Sequence, residues 1–443
     1  MFRTNSTDWG HLLRAVIAVV LVSLTIREFG YSQAQDSGGR GLFALGFLLL
    51  AGTAGGRLAA LLKLPRLTGY LLAGLLCGPS VFGVLGPSEV TQLSLINGLA
   101  LALIALQAGS EFTHQMLQKN FKSIVYGSFA HLFIIGLGMT LVFTLAAPYL
   151  DFTENLNLAA QVAVGAVFAV IAVSKSPAVV VAILGESKAK GPLSDHSLGI
   201  VVLLDVLVLA VFSLVLMVAG SMVGTGQEFS WAQLEHLAGE LVASVAAGTT
   251  FGLVITFYFW AVGREKLLFL LVTAYGITAF CRFFSYDTLL VFVVAGYVVT
   301  NFSRQGSKMT HTIESISSVV MIVFFATAGA SLHLDELRGL WAIVLGLFFV
   351  RALLTWLAAQ AGHRLARDPE PVRKYGYTPF ISQAGLSIGL AVIVSEQLPG
   401  VGTALATLAI SVVALNELFG PVIFRWGLQR AGEVGRKQDS REG

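Results

Sequence analysis

The sequence predicts an all-α polytopic membrane protein of about fourteen transmembrane helices, and three observations carry that expectation. Hydrophobic residues make up 56% of the 443-residue chain and charged residues only 12%, with a mean hydropathy of +0.79, whereas soluble domains carry about 25% charged residues. Apolar runs of roughly 18–25 residues recur from end to end, each long enough to cross a hydrocarbon core as a helix. The alternation of roughly ten-residue segments that marks a membrane β-barrel is absent.

The spans fall near residues 11–27, 42–60, 66–84, 91–109, 122–147, 158–184, 194–222, 236–262, 266–283, 286–302, 313–332, 339–362, 374–397 and 401–426. Bases gather in alternate connections: Arg57, Lys63 and Arg66; Lys119 and Lys122; Lys188 and Lys190; Arg264 and Lys266; Arg304 and Lys308; Arg364, Arg367, Arg373 and Lys374. Connections between them, such as residues 148–157 and 223–235, carry acids and almost no bases. The positive-inside rule makes the basic set cytoplasmic. An even number of spans with both termini cytoplasmic satisfies the alternation throughout.

The domain organisation follows. Residues 1–28 hold the first apolar run, which lacks a small-residue cleavage site and reads as a retained helix rather than a signal peptide. Residues 29–426 form one membrane domain. Residues 427–443 read as a short, basic, disordered cytoplasmic tail with no C-terminal regulatory domain, which leaves no room for a nucleotide-binding or catalytic module. Cys77 and Cys281 lie in or beside apolar runs and read as inert thiols. The net charge of +3 argues neither for nor against an acidic partner. No cofactor, metal cluster or nucleic-acid partner is expected, and no Ser/His/Asp set suggests hydrolysis.

Two spans are interrupted. The sixth carries Ser174-Lys175-Ser176-Pro177, and the thirteenth carries "YTPFISQAGLSIGLA" with Pro379, Gly385 and Gly389. Seven positions apart in helix order, they run in opposite directions through the membrane. Broken helices at corresponding places in two halves are the sequence mark of an inverted-repeat transporter, whose freed backbone groups line a site at the midplane.

Most charges near helix ends, including Arg27, Lys63, Glu186, Arg282, Asp287 and Arg338, have an interfacial explanation. Lys175, Asp205 and Arg351 do not, because each lies well inside an apolar run. A charge at a helix centre costs about 2.5–3.5 kcal/mol on insertion scales, so such residues pair or face water. Glu314, Asn416 and Glu417 are weaker candidates, the two acids standing near cytoplasmic helix ends where each would neutralise a base. His131 reads as a hydrogen-bonded core histidine, with a proton relay as the alternative. Asp205 has the chemistry of a carrier, since a carboxylate in a low-dielectric cavity exchanges a proton for a cation near neutral pH. Its structural alternative is a fixed pair with Lys175 or Arg351.

Several stretches resemble the monovalent cation:proton antiporter superfamily, in the branch of bacterial sodium/proton and Kef-type potassium/proton antiporters. "LPRLTGYLLAGLLCGPSVFGVLG" (64–86) resembles the family's second-helix signature. "LALIALQAGSEF" (101–112) resembles a following segment, with Glu111 in the glutamate position. "SKSPAVVVAIL" resembles the first crossing helix, "LLDVLVL" the Asp-Asp motif after it, "FVRALLTWLAA" the helix with a basic residue, here Arg351, and "SQAGLSIGLA" the second crossing helix. The similarity spans roughly residues 42–426. It implies an elevator-type homodimer of scaffold and core, with the first helix added to the scaffold and protons and a monovalent cation as cargo. Asp205 falls on the family's cation- and proton-binding acid, with Lys175, Ser174 and Ser176 on the first break. Ser382, Gln383 and Ser387 fall on the second crossing helix.

The departures remove oxygen ligands. Leu204 replaces the first acid of the pair, Lys175 replaces a small hydroxyl residue, and Leu386 or Ser387 replaces a glutamate. Three functions stay open: cation:proton exchange through Asp205, possible for Na⁺ or K⁺; transport of an anion or organic solute with Lys175 as a built-in cation; and a non-transporting sensor or subunit.

Overall fold

The computed structural model describes residues 37–223, 231–284, 286–332, 341–383, 385–398 and 400–435. The predicted first helix at 11–27 lies outside the described residues. Every regular element among those described is a helix. Eight of them are long and apolar enough to cross a membrane, or nine if the bent pair Gly306–Glu314 and Ser317–Ala330, angled at 61°, counts as one span. Shorter apolar helices occupy Arg66–Cys77, Ile96–Glu111, Thr288–Asn301 and Leu386–Gln397, where the sequence places four further spans.

The chain divides into two compact units. The first takes residues up to Ile104, with Gly263–Thr278 and Ser307–Asp335. It contains α1 (Ser37–Leu61), α2 (Arg66–Cys77), α3 (Pro87–Gln92), the start of α4 (Ser94–Glu111), most of α10 (Lys266–Phe284), α12 (Gly306–Glu314) and α13 (Ser317–Ala330). Its core is a cluster of Ala44, Phe47, Leu48, Ala51, Leu85, Leu93 and Ala326. Gly74 of α2 lies against the Ala326 backbone, and Gly329 of α13 against that of Leu71, so a side chain at either position would hold the two helices apart. Small residues at such contacts are how membrane helices gain packing without a hydrophobic drive between them.

The second unit holds Ala105–Val262, Ala279–Gly306 and Glu336–Gly443. Its helices are α5 (His114–Ala146), α6 (Leu158–Val173), α7 (Pro177–Ser187), α8 (Pro192–Val223), α9 (Trp231–Ala261), α11 (Thr288–Asn301), α14 (Trp341–Ala366), α15 (Glu370–Tyr375), α16 (Gly385–Gln397) and α17 (Gly402–Ala431). Here α5 packs on α6, α8 and α14, α6 on α8, α9 on α11, and α16 on α17. Asp287, expected at an interface, caps α11: its Oδ1 accepts from Leu290 N at 2.6 Å, and its own N–H donates to Ser244 Oγ of α9 at 3.0 Å.

Two features correct the expectations for the C-terminal part. Helix α17 continues to Ala431 and ends at Gly432 with φ 70°, so the start of the predicted tail is helical. Beyond it, Glu433 is buried. Its carboxylate accepts from Leu193 N (2.7 Å), Ser194 N (2.9 Å) and Ser194 Oγ (2.7 Å), filling the open N–H groups of α8. Glu417 lies mid-helix and fully buried rather than near a helix end, and neither carboxylate oxygen has a hydrogen-bond partner.

Candidate functional site

Both predicted interruptions are present. The first run is helical to Val173, extended through residues 174–176, and helical again from Pro177. Pro177 takes the first position of α7, where its missing N–H costs nothing. Ser176 caps the same helix, its Oγ accepting from Val179 N at 3.1 Å. In the second run a short 3₁₀ turn, Thr378–Phe380, is followed by irregular chain through Gln383, and α16 begins at Gly385.

Arg351 joins the two breaks. Fully buried on α14, it donates from Nε to the Ala172 carbonyl at 2.8 Å and from Nη1 to the Ile381 carbonyl at 2.8 Å. Further bonds run to Asn416 Oδ1 at 3.0 Å and the Ser174 carbonyl at 3.4 Å. The carbonyls at the end of α6 and after the 3₁₀ turn have lost their helical partners. A guanidinium, with five N–H groups in a planar fork, meets several of them at once. Arg351 therefore compensates the two carbonyl ends rather than pairing with an acid.

Around it lies a polar knot. Ser174 Oγ bonds Ser387 Oγ. Gln383 Nε2 donates to the Ile171 carbonyl (2.8 Å) and to Ser387 Oγ (3.2 Å), and its Oε1 accepts from Asn416 Nδ2 at 2.9 Å. The structure thus brings together Ser174, Gln383, Ser387 and Arg351, and adds Asn416 of α17 as their bridge. Ser382 is buried with no hydrogen-bond partner, its side chain packed on Gly420.

Lys175 and Asp205 stand apart. Lys175 is fully buried with no hydrogen-bond partner for Nζ, and no ion pair joins it to Asp205. The charge whose field reaches it is that of Arg351. Asp205 lies on α8 beside fully buried Leu204, is itself part-exposed, and has an unpartnered Oδ1. The field reaching Asp205 is that of another acid, Asp287. The fixed Lys175–Asp205 or Arg351–Asp205 pair is not formed.

A second polar cluster, missed in the sequence, occupies the basic end of the same unit. Asp368, just after α14, accepts from His363 Nδ1 (2.6 Å), His196 Nε2 (3.2 Å) and Ser123 Oγ (2.6 Å). His196 Nδ1 also meets the Pro192 carbonyl, so both of its nitrogens face acceptors. Burial alone would raise the Asp368 carboxyl, but hydrogen bonds from His196, His363 and Ser123 prevail and hold it well below the ordinary carboxylate range. Its four members come from α5, α8, α14 and a loop, and share no local pattern.

Opposed broken helices with a guanidinium on their carbonyl ends and an acid on the next helix make an architecture of membrane-embedded secondary transporters. The sequence comparison agrees. The profile of the family described as "Sodium/hydrogen exchanger, transmembrane" matches residues 45–427, and the chain belongs to that family, within the monovalent cation:proton antiporter superfamily. Two solved structures of the sodium proton antiporter MjNhaP1 from Methanocaldococcus jannaschii share the fold. The one at pH 8 is 16% identical, with a TM-score of 0.63 over 90% of this chain and 99% of the other. An electron-microscopy structure is also 16% identical, with a TM-score of 0.70 over 88% of this chain and 96% of the other. No curated protein matches the sequence.

Proposed function

We propose that the protein exchanges protons for a monovalent cation, Na⁺ or K⁺, with Asp205 as the group that carries the two in turn. The supporting observation is the setting of Asp205: a part-exposed carboxylate on the helix after the break, with an unpartnered oxygen and a second acid rather than a base acting on it. A like charge bearing on a carboxylate favours its taking up a positive charge, and proton and cation compete for it. Ser174, Ser176, Ser382, Gln383 and Ser387 supply hydroxyl and amide oxygens at the crossing, and Arg351 fixes the two breaks around it.

On this account the protein works in a bacterial inner membrane as a homodimer, with both termini cytoplasmic. Residues 1–28 add a helix to the scaffold, the following residues through α17 carry the scaffold and core, and the basic tail beyond α17 faces the cytoplasm. MjNhaP1, named a sodium proton antiporter, supports the cargo by analogy of fold.

One observation favours a second assignment. Lys175 is a buried, unpartnered base at the break, which suits an anion or organic solute better than a metal cation. Proteoliposomes with an imposed pH gradient separate the cases. Collapse of the gradient on adding Na⁺, K⁺ or Li⁺, abolished by Asp205→Asn, supports exchange. Silence towards every cation, with an anion response lost in Lys175→Ala, would replace it.

A further inference from the structure

Among the described residues, three buried bases that the exchange scheme leaves unused have nitrogens without a hydrogen-bond partner. His363 and His131 each lack a partner at Nε2, and Lys175 lacks one at Nζ; all three are fully buried. His131 Nδ1 lies 2.8 Å from the Gly127 carbonyl. A carbonyl only accepts, so Nδ1 carries the hydrogen and the neutral ring keeps its lone pair on Nε2. The same argument applies to His363, whose Nδ1 donates to Asp368 Oδ2. Both histidines therefore present a basic nitrogen with nothing bound to it.

Helix register sets their order. Helices α5 and α14 run antiparallel, with Gly127 against Gly362 and Gly138 against Leu354. His131 then stands opposite residues 358–359, about one turn deeper than His363. Across α6, Gly136 faces Val173. His131 lies toward the basic end from Gly136, and Lys175 lies toward the same end from Val173, which brings them level. The His131 ring meets Phe380 of the second break edge-on, with centroids 4.6 Å apart. The cations whose fields reach His131 are Lys175, His363 and Arg351.

We infer that Asp368, His363, His131 and Lys175 form a proton path from the basic end of the unit to the crossing, with Lys175 as its innermost station. The path serves the exchange reading, on which its use rests, as the route by which protons reach and leave the crossing where Asp205 takes proton and cation in turn. In the outward direction, Lys175 Nζ gives up a proton through intervening water to His131 Nε2, leaving a neutral amine and an imidazolium. His131 keeps its Nδ1 hydrogen on Gly127 and returns the extra proton from Nε2, through intervening water, to His363 Nε2. His363 then releases its Nδ1 proton to the Asp368 carboxylate, which passes it to solvent, and reorientation of the ring brings the remaining N–H back to Asp368 before the next proton arrives. Only N–H and O–H bonds change, and the inward direction is the reverse.

Two measurements on the full-length protein test this. In proteoliposomes loaded with a pH-sensitive dye, Lys175→Arg keeps the positive charge but cannot release a proton near neutral pH. It is expected to slow Na⁺-driven proton flux at least tenfold, as is His131→Asn, while Na⁺ affinity of the purified variants stays within about twofold. Lys175→His is expected to restore flux with an optimum at lower pH. Wild-type rates in folded Lys175→Arg and His131→Asn would overturn the path, and so would parallel loss of flux and Na⁺ binding, which marks a structural role. Independently of transport, NMR of histidine-labelled protein is expected to show the His131 titration moving on Lys175→Met; an unmoved titration overturns the path. A coupled titration without cation-driven flux in wild type would sink the exchange reading and leave the path standing.

Discussion

Replacing Arg351 should unfasten the crossing, and the cost follows from its bonds. Three of them, to Ala172, Ile381 and Asn416, have full hydrogen-bond lengths of 2.8, 2.8 and 3.0 Å, and the fourth, to Ser174, is long at 3.4 Å. Bonds to a charged group each contribute about 1.5–3 kcal/mol. A lysine at this position presents one nitrogen and reaches one of these acceptors, so Arg351→Lys forfeits two good bonds, about 3–6 kcal/mol. Arg351→Gln forfeits at least as much and leaves buried carbonyls open. Against a total stability of about 5–15 kcal/mol, either change is severe. Thermal unfolding in detergent, followed by tryptophan fluorescence, measures it. A large fall in Tm for both variants, greater for Gln, is expected. A midpoint within about a degree of wild type in Arg351→Gln would refute the assignment of Arg351 as the fastener of the two breaks.

Other perturbations have equally definite outcomes. Asp368→Asn leaves one acceptor oxygen for three donors, His363 Nδ1, His196 Nε2 and Ser123 Oγ, and should cost about 1–3 kcal/mol, seen as a lower Tm at neutral pH. Because the folded Asp368 carboxyl is held below its unfolded value, its contribution is complete above the ordinary carboxylate range and is lost only as pH falls through the depressed value. The gap between wild type and Asp368→Asn should therefore stay constant from pH 8 to about 5 and narrow in stronger acid. Glu433→Ala opens the N-terminus of α8, costing about 2–4 kcal/mol, and the amides of Leu193 and Ser194 should exchange with deuterium faster while those in mid-α8 do not. Glu417→Met replaces a buried, unpartnered carboxyl by an apolar side chain and should raise Tm by removing a desolvation cost of about 1–3 kcal/mol.

The breaks were legible because proline and hydroxyl residues inside apolar runs have few explanations. Pro177 begins α7 and Ser176 caps it, as the sequence pattern implies. Arg351 was legible as a buried charge, but its partners were not. A sequence names the acids available to a base, whereas the structure answers it with carbonyls freed from two helix ends. Asp205 shows the same limit: the charge that bears on it comes from Asp287, a helix cap distant in sequence that passed for an interfacial residue. The Asp368 cluster draws one side chain from each of four segments, and no local spacing encodes that. The extent of α17 was readable, since Gly432 after Arg430-Ala431 is a left-handed C-cap. The run of charges around it masked that signal.

The central claim is that one carboxylate serves proton and cation by turns, and binding measured against pH tests it without any transport step. Calorimetric titration of Na⁺ or K⁺ into purified wild-type protein should give an apparent Kd that weakens by about tenfold per pH unit once the pH is below the carboxyl's own pKa, and Asp205→Asn should bind neither ion. Cation binding independent of pH, or undiminished in Asp205→Asn, would contradict the account.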